Sequence, residues 1–143
     1  MSPPKLQRIV ELFAGAPKDL RLEALLEYSR KLPPLPPHLD GNQAAMEQVE
    51  ECQTPFFLAT EVDPERRVHL WFDCPPEAPT TRGFAGILSA GLEGATVEEV
   101  LQVPNDFYND MGLAEAISSL RLRGMGAILA HLKRQVSEHA VAG

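Results

Sequence analysis

The chain of 143 residues has the length of one ordinary domain, and 44% of its residues are hydrophobic, enough for a buried core. Its formal net charge of −7 argues against a general affinity for nucleic acid, because neutralising phosphates requires clustered Lys and Arg. No apolar run approaches the ~20 residues of a membrane-spanning helix, and the first residues, MSPPKLQRIV, lack the apolar centre of a signal peptide. We therefore expect one cytoplasmic domain over residues 1–143, with an acidic surface suited to a basic protein partner.

Two helices are predicted in the first third of the chain. Ser2 and Pro3 suit the N-cap and first turn of the first helix, which can end at Gly15, because Pro17 bars its simple continuation. The second ends at LPPLPP, which we interpret as an extended connector rather than a docking motif for a proline-binding module. Apolar residues recur at helical spacing in both and predict their buried stripes: Leu6, Ile9, Val10 and Phe13 in the first, and Leu22, Leu25, Leu26 and Leu32 in the second.

A β-hairpin is predicted in the middle of the chain. The runs FFLATEV and RVHLWFD flank DPER, a turn signal over Asp63 to Arg66. Residues 42–51 before the hairpin are mostly polar and predict a loop with one turn of helix, although the sheet can still take a third short strand. If the chain turns over Asp63 to Arg66, facing residue numbers sum to roughly 129, and position 55 lies opposite Cys74.

Three further helices are predicted after the hairpin. The first is capped by Thr80 or Thr81 and closes near Gly94; the second carries a capping box of Thr96 and Glu99. A loop over 104–112 follows, and the last, long helix opens at Ser118 or Ser119. Its core stripe is Leu122, Met125, Ile128, Leu129, Leu132 and Val136. The fold class is therefore α+β, with a small antiparallel sheet packed among helices.

Cys52 and Cys74 are predicted to lie at the same end of the hairpin, in or beside loops. They form no CxxC motif, and in a reducing compartment free thiols are expected. The pattern allows Cys52 to be either an exposed reactive thiol or a buried inert one. Glu50 and Glu51 raise the pKa of a neighbouring thiol, so activation must come from elsewhere. Candidates are Arg121 and Arg123 at the start of the last helix, which are otherwise solvated helix-end charges.

The segment VEECQTPFF around Cys52 resembles the signature of SufE-type sulfur-acceptor proteins, which reads roughly V-x-G-C-x-S-x-V-W. Weaker similarities follow in the expected order over roughly residues 20 to 135. Four departures stand out, namely Glu51 in place of glycine, Cys74 in place of serine, Arg123 in place of an amide, and two added residues in PPEAP. The matching positions are Val49, Cys52, Thr54 and Phe56–Phe57; Asp73-Cys74; Arg82-Gly83-Phe84; Thr96-Val97-Glu98-Glu99-Val100; and Leu120-Arg121-Leu122-Arg123-Gly124-Met125.

The resemblance implies a sulfur carrier that docks on a SufS-like, pyridoxal-phosphate-dependent cysteine desulfurase. Cys52 would take sulfur from it as a transient persulfide and deliver it to an iron–sulfur scaffold complex of the SufBCD type. No resident cofactor or metal is expected. Arg121 would hold the resting loop or steady the thiolate, and Asp73 would accept a loop hydrogen bond or meet a partner cation. Cys74 is either a space-filling side chain or a second thiol able to form a reversible disulfide with Cys52.

Three other interpretations compete with the sulfur carrier. A cysteine hydrolase would need His69 or His131 beside the thiol, and neither lies in a catalytic signature. A metal site of Cys52, Cys74 and a histidine matches no standard zinc spacing. A non-catalytic interaction module that regulates a partner enzyme would leave Cys52 inert, and the acidic charge balance is compatible with it.

Overall fold

A computed structural model describes residues 3–142, which contain five α-helices and a three-stranded antiparallel sheet. This architecture confirms the α+β prediction. Within this range, no helix is both long enough and apolar enough to cross a membrane. In chain order the elements are α1 (Pro4–Gly15), α2 (Lys18–Arg30), β1 (Glu47–Gln48), β2 (Phe57–Val62), β3 (Val68–Asp73), α3 (Pro79–Leu92), α4 (Val97–Leu101) and α5 (Ser119–Ala142).

The sheet has the strand order β1-β2-β3, and its buried side faces the helices. Apolar residues alternate along β3, where Val68, Leu70 and Phe72 are buried, while Leu58 is buried on β2. Strand β2 packs against α5 and β3 against α3. The two-residue strand β1 supplies the third strand that the sequence allowed, within a segment otherwise predicted as loop. The predicted turn of helix in that segment is a 3-10 turn at Gln43–Ala45.

The hairpin register differs by one residue from the prediction. Val62 pairs with Val68 and Phe57 with Asp73, so Phe56 rather than position 55 comes opposite Cys74. The reason lies in the turn, which keeps the expected hydrogen bond from Arg66 N to the Asp63 carbonyl but contains one more residue. Arg66 has φ 61°, the left-handed conformation that ends a type I turn with a bulge.

Helix starts follow the sequence signals in two of four places. The hydroxyl of Ser118 accepts a bond of 3.3 Å from the Arg121 amide at the start of α5. Thr96 and the Glu99 side chain form the predicted capping box of α4. Helix α3, however, begins at Pro79, whose fixed φ suits a first helical position, and not after a cap at Thr80 or Thr81. Helix α1 begins at Pro4, so Pro3 is the residue before the helix and not part of its first turn, and Ser2 lies outside the described residues.

Helix α2 buries a narrower face than predicted. Leu25 is fully buried, but Leu22 is 41% exposed and Leu26 is half-buried. The helix ends at Arg30, so Leu32 is buried from the LPPLPP connector, which contains neither helix nor strand. The narrow contact follows from the close packing of α2 on α3, which leaves room for little besides backbone and Leu25.

Two glycines of α3 permit this close packing. A Cβ on Gly83 would lie 2.3 Å from the carbonyl oxygen of Leu25, and one on Gly86 would lie 2.1 Å from that of Tyr28. Next to Gly83, the Arg82 guanidinium donates to the Ser29 carbonyl at 3.2 Å and to the Cys74 carbonyl at 2.8 Å. The Arg-Gly pair therefore fixes α2, α3 and the end of β3 relative to one another.

We expect Gly86→Ala to lower the free energy of unfolding by ~1–3 kcal/mol, because the new methyl group forces α2 away from α3. Gly15→Ala is the matched control, since a Cβ there meets nothing within 4 Å. Urea unfolding of both variants measures the difference. Equal stability of the two would contradict backbone contact between α2 and α3.

Candidate functional site

Cys52 lies on the loop over residues 49–56, between β1 and β2. The loop is closed at its base by a 2.8 Å hydrogen bond from Val49 N to the Phe56 carbonyl, and both of these side chains are buried. Within it, Cys52 N donates to the Val49 carbonyl at 3.2 Å and tightens the turn. Cys52 itself is half-buried and packs against the edge of the core. The structure thus falls between the exposed and the buried alternatives that the sequence left open.

A recess of about 70 Å³ lies between this loop and the first turns of α5. The loop contributes Cys52 and Thr54 to its wall, and α5 contributes Arg121, Gly124 and apolar side chains. Helix and loop are close, because a Cβ on Gly124 would lie 3.6 Å from Cys52 Sγ and 3.9 Å from the Glu51 carbonyl. The thiol therefore faces the N-terminal end of a long helix across a small cavity.

The resting thiol is protonated. Burial is the main cause that raises the pKa of Cys52 to about 11, followed by the negative charge of Glu51 and the neighbouring Cys74. The prediction that an adjacent carboxylate works against thiolate formation is thus confirmed for Glu51. Glu50 is exposed and is not among the groups that shift this pKa.

A network of charged side chains ties the Cys52 loop to α5 and β1. The Glu51 carboxylate lies 3.0 Å from Nε2 of His131, whose Nδ1 bonds Glu47. Arg134 and Gln135 of α5 also donate to Glu47. The pKa of Glu47 is lowered to about 2, because these hydrogen bonds outweigh the opposing effect of burial. Burial alone would lower the pKa of His131, but the two carboxylates outweigh it and raise the pKa.

Sequence reasoning missed this network, because His131 was considered only as a candidate base for a cysteine hydrolase. A signal was nevertheless present. Residue 131 follows Gly124 by two helical turns and so lies on the same face of α5. Once the Gly124 segment is placed beside Cys52, His131 must lie along the same loop.

Of the two arginines proposed to activate the thiol, only Arg121 lines the recess. Its guanidinium makes no hydrogen bond or salt bridge with residues in the described range, and its side chain is exposed. Arg123 is also exposed but does not line the recess. The geometry therefore leaves Arg121 available to an anion at the thiol.

Asp73 and Cys74 lie at the predicted end of the hairpin, but Asp73 does not bond the Cys52 loop. Asp73 accepts a 2.9 Å bond from the Gln43 side chain, which belongs to the 3-10 turn before β1 and not to the Cys52 loop. Cys74 is 4% exposed, and burial raises its pKa to about 11 despite the opposing effect of Arg82. Both cysteines are free thiols and lie at the same end of the hairpin, as predicted.

Neither His69 nor His131 is placed to act as the base of a cysteine hydrolase. His69 bonds Asp63 at 2.8 Å and Glu93 at 2.5 Å, and both ring nitrogens of His131 face carboxylates. Neither ring thus has a nitrogen to spare for Cys52. Across residues 3–142, no group of three or more His, Cys, Asp or Glu side chains is placed to hold a metal ion.

Fold and site together define a class of protein: a small α+β domain in which a loop cysteine faces the N-terminal part of a helix. The family model "SufE: Fe-S metabolism associated domain" matches residues 7–136. The chain therefore belongs to the SufE family, as its resemblance indicated.

Individual relatives agree with this assignment. A SufE-like protein of Mycobacterium tuberculosis is 49% identical over 136 residues, which cover 95% of this chain and 94% of that protein. The cysteine desulfuration protein SufE of Plasmodium falciparum is 26% identical over 135 residues, covering 91% of this chain and 53% of that protein. The solution structure of a hypothetical protein from Thermus thermophilus superposes with a TM-score of 0.88 at 48% identity, covering 99% of both chains.

Glu51→Gln is expected to lower the pKa of Cys52 and to speed its alkylation by iodoacetamide. A surface charge pair of ~1 kcal/mol corresponds to about a fivefold rise in thiolate fraction. Glu50→Gln is the matched control, because that carboxylate does not shift the thiol. Measuring the rate at several pH values separates a pKa change from a change in access. An equal effect of both substitutions would refute a specific role of Glu51.

His131→Gln tests the network through its pH dependence. The pKa of His131 is raised, so its charged form stabilises the folded chain below the ordinary value of 6.5, and this contribution is lost as the pH rises through the raised value. The variant should be less stable than the wild type by ~0.5–1 kcal/mol near pH 6, and the gap should shrink near pH 9. Urea unfolding at both pH values measures it. A gap that is independent of pH would assign His131 to packing alone.

Proposed function

We propose that this protein is a sulfur acceptor and carrier, and that Cys52 receives sulfur as a persulfide from a cysteine desulfurase. The observation that carries the proposal is the placement of Cys52, half-buried on the 49–56 loop, with Arg121 and the N-terminus of α5 across the recess. A loop thiol can extend into another protein's catalytic site, whereas a thiol on a strand cannot.

The transfer step needs no cofactor in this chain. The Cys52 thiolate attacks the terminal sulfur of a persulfide on the donor enzyme. The donor's sulfur–sulfur bond breaks, its electron pair leaves with the donor thiolate, and a new sulfur–sulfur bond forms on Cys52. Because the pKa of Cys52 is about 11 at rest, loss of its proton accompanies docking, when the loop leaves the recess or a partner base approaches.

The comparisons support the choice of partners. A relative in Plasmodium falciparum is named a cysteine desulfuration protein, and the family model is described by iron–sulfur metabolism. We therefore propose a SufS-like, pyridoxal-phosphate-dependent desulfurase as donor and a SufBCD-like scaffold as recipient, both in the cytoplasm. Arg121 would steady the attacking thiolate, while Asp73 at the sheet end would meet a cation of the partner.

A second candidate function is a docking module that stimulates its partner without carrying sulfur. The raised pKa of Cys52 favours it, because a thiol protonated at neutral pH is a poor nucleophile. The two functions differ in what happens to Cys52. A module would keep its effect on the partner after Cys52→Ser, whereas a carrier would bind and yet lose transfer.

Incubation with a purified SufS-type desulfurase and isotope-labelled cysteine is expected to add one labelled sulfur atom to Cys52. Cys52→Ser should abolish this gain, and Cys74→Ser, the matched thiol control, should retain it because Cys74 is buried. Intact mass and peptide mapping provide the measurement. Sulfur that appears only on Cys74, or stimulation of the desulfurase that survives Cys52→Ser in full, would overturn the carrier.

A further inference from the structure

The ring of His131 on α5 lies between two carboxylates from different parts of the chain. Its Nδ1 bonds Glu47 of β1, and its Nε2 lies 3.0 Å from the carboxylate of Glu51, the residue before Cys52. An ionised carboxylate can only accept hydrogen bonds, so both ring nitrogens must carry a proton in order to donate at the same time. Only the imidazolium form of His131 therefore satisfies both contacts.

The two carboxylates differ in what else holds them. Glu47 also accepts hydrogen bonds from Arg134 and Gln135 of the same helix, and its side chain is 26% exposed. Glu51 has no other side-chain partner among residues 3–142, and its side chain is 55% exposed. When His131 loses a proton, the bond to Glu51 is therefore the one that breaks, because Glu47 keeps its other donors and water can solvate Glu51.

Other charges near this histidine are paired or directed elsewhere. On its own helix, Arg134 bonds both Glu47 and Glu138. Lys133 donates to a backbone carbonyl at 2.7 Å, on the side of the helix that meets residues 103–105. The loop itself adds its thiol, which is neutral below a pKa of about 11. Within residues 3–142, the ring thus responds chiefly to the two carboxylates that it bonds.

The charge of His131 changes with pH in a defined direction. Burial lowers the pKa of His131, but the hydrogen bonds to Glu47 and Glu51 outweigh burial and raise the pKa above its ordinary value of 6.5. The charged form therefore predominates at pH 6. The neutral form replaces it as the pH rises through the raised value, and the contact with Glu51 is then lost.

We propose that His131 is a positioning residue for Cys52, which holds the 49–56 loop against α5 when protonated and releases it when neutral. It acts through Glu51, the residue that stands where the SufE-type signature has glycine, because glycine offers the helix no carboxylate. This inference deepens the proposed function, on which its consequence for sulfur uptake rests. The chain then accepts sulfur more readily on the alkaline side of neutrality than thiolate formation alone requires.

The test follows the pH dependence of Cys52 modification by methyl methanethiosulfonate, with peptide mapping to locate the label. The Cys52 thiolate attacks the thiol sulfur of the reagent, a mixed disulfide forms, and methanesulfinate leaves with the electron pair. Because the pKa of Cys52 is about 11, its thiolate fraction rises about a thousandfold from pH 6 to pH 9 in every variant that leaves the pKa well above 9. A larger rise in rate reports release of the loop.

The wild-type rate should exceed this rise by about two- to fivefold, the size expected for loss of an exposed ion pair. His131→Gln should show only the rise from ionisation, since an amide does not titrate. Glu51→Gln should lose the excess as well. His69→Gln is the matched control and should keep the excess, because that ring also lies between two carboxylates, Asp63 and Glu93, but at the turn end of the hairpin.

An equal rise in the wild type and in His131→Gln would overturn the proposal. So would loss of the excess in His69→Gln, which would assign it to general loosening of the fold, or its persistence in Glu51→Gln. If His131→Gln does not fold, the wild type, Glu51→Gln and His69→Gln still decide. The outcome is separate from that of the desulfurase experiment, because the expected pH profile in a chain that gains no sulfur would contradict the proposed function and leave this role of His131 standing.

Discussion

The contact between the 49–56 loop and α5 is the constraint on which the site depends. Buried Val49 and Phe56 fix the two ends of the loop in the core. Between them, the loop packs against the helix at Gly124, where a Cβ would make an ordinary van der Waals contact of 3.6 Å with Cys52 Sγ. Two turns further on, His131 binds the carboxylate of Glu51. One helix face therefore sets the depth of the thiol, the volume beside it and the charge around it.

The same contact raises the pKa of the proposed acceptor thiol. Burial against α5 and the charge of Glu51 both favour the neutral form, which limits oxidation by solvent reagents. The ion pair of Glu51 with His131 stabilises this position of the loop only modestly, because an ion pair as exposed as this contributes ~0.2–1 kcal/mol. A docking partner that buries even a small apolar area can compensate for its loss. Under the proposed function, protection of the thiol at rest and its release on docking would both depend on this weak, local contact.

Local sequence signals predicted the elements but not the contacts between distant segments. Helical periodicity, the Thr96–Glu99 box and the DPER turn act over a few residues, and each led to the right element. The register was wrong by one because nothing in the sequence shows that Arg66 adopts a left-handed conformation. The predicted burial of Leu22 was wrong, because its exposure depends on how closely α2 packs against α3, and Gly83 and Gly86 set that distance.

The site shows the same division more sharply. The position of Cys52 on a loop and the unfavourable influence of Glu51 follow from neighbouring residues, and both were predicted. The bond of Glu51 to His131 joins residues 80 apart in sequence, and the Thr54 hydroxyl, which has no hydrogen-bond partner among residues 3–142, is defined by what surrounds it in space. Neither can be derived from composition or spacing before α5 is placed.

Residues of the SufE-like pattern thus divide into two physical groups. Arg82 and Gly83 hold the frame, since one binds the carbonyl of Cys74 and the other admits α2 against α3. Cys52 and Gly124 meet at the recess, although the chain separates them by most of the fold. A sequence pattern whose parts are individually weak is therefore specific as a set, because the frame must be correct for a loop thiol and a helix glycine to face each other. Glu51 is the departure with the clearest consequence, because a side chain at that position gives the loop a contact with α5 that glycine cannot make.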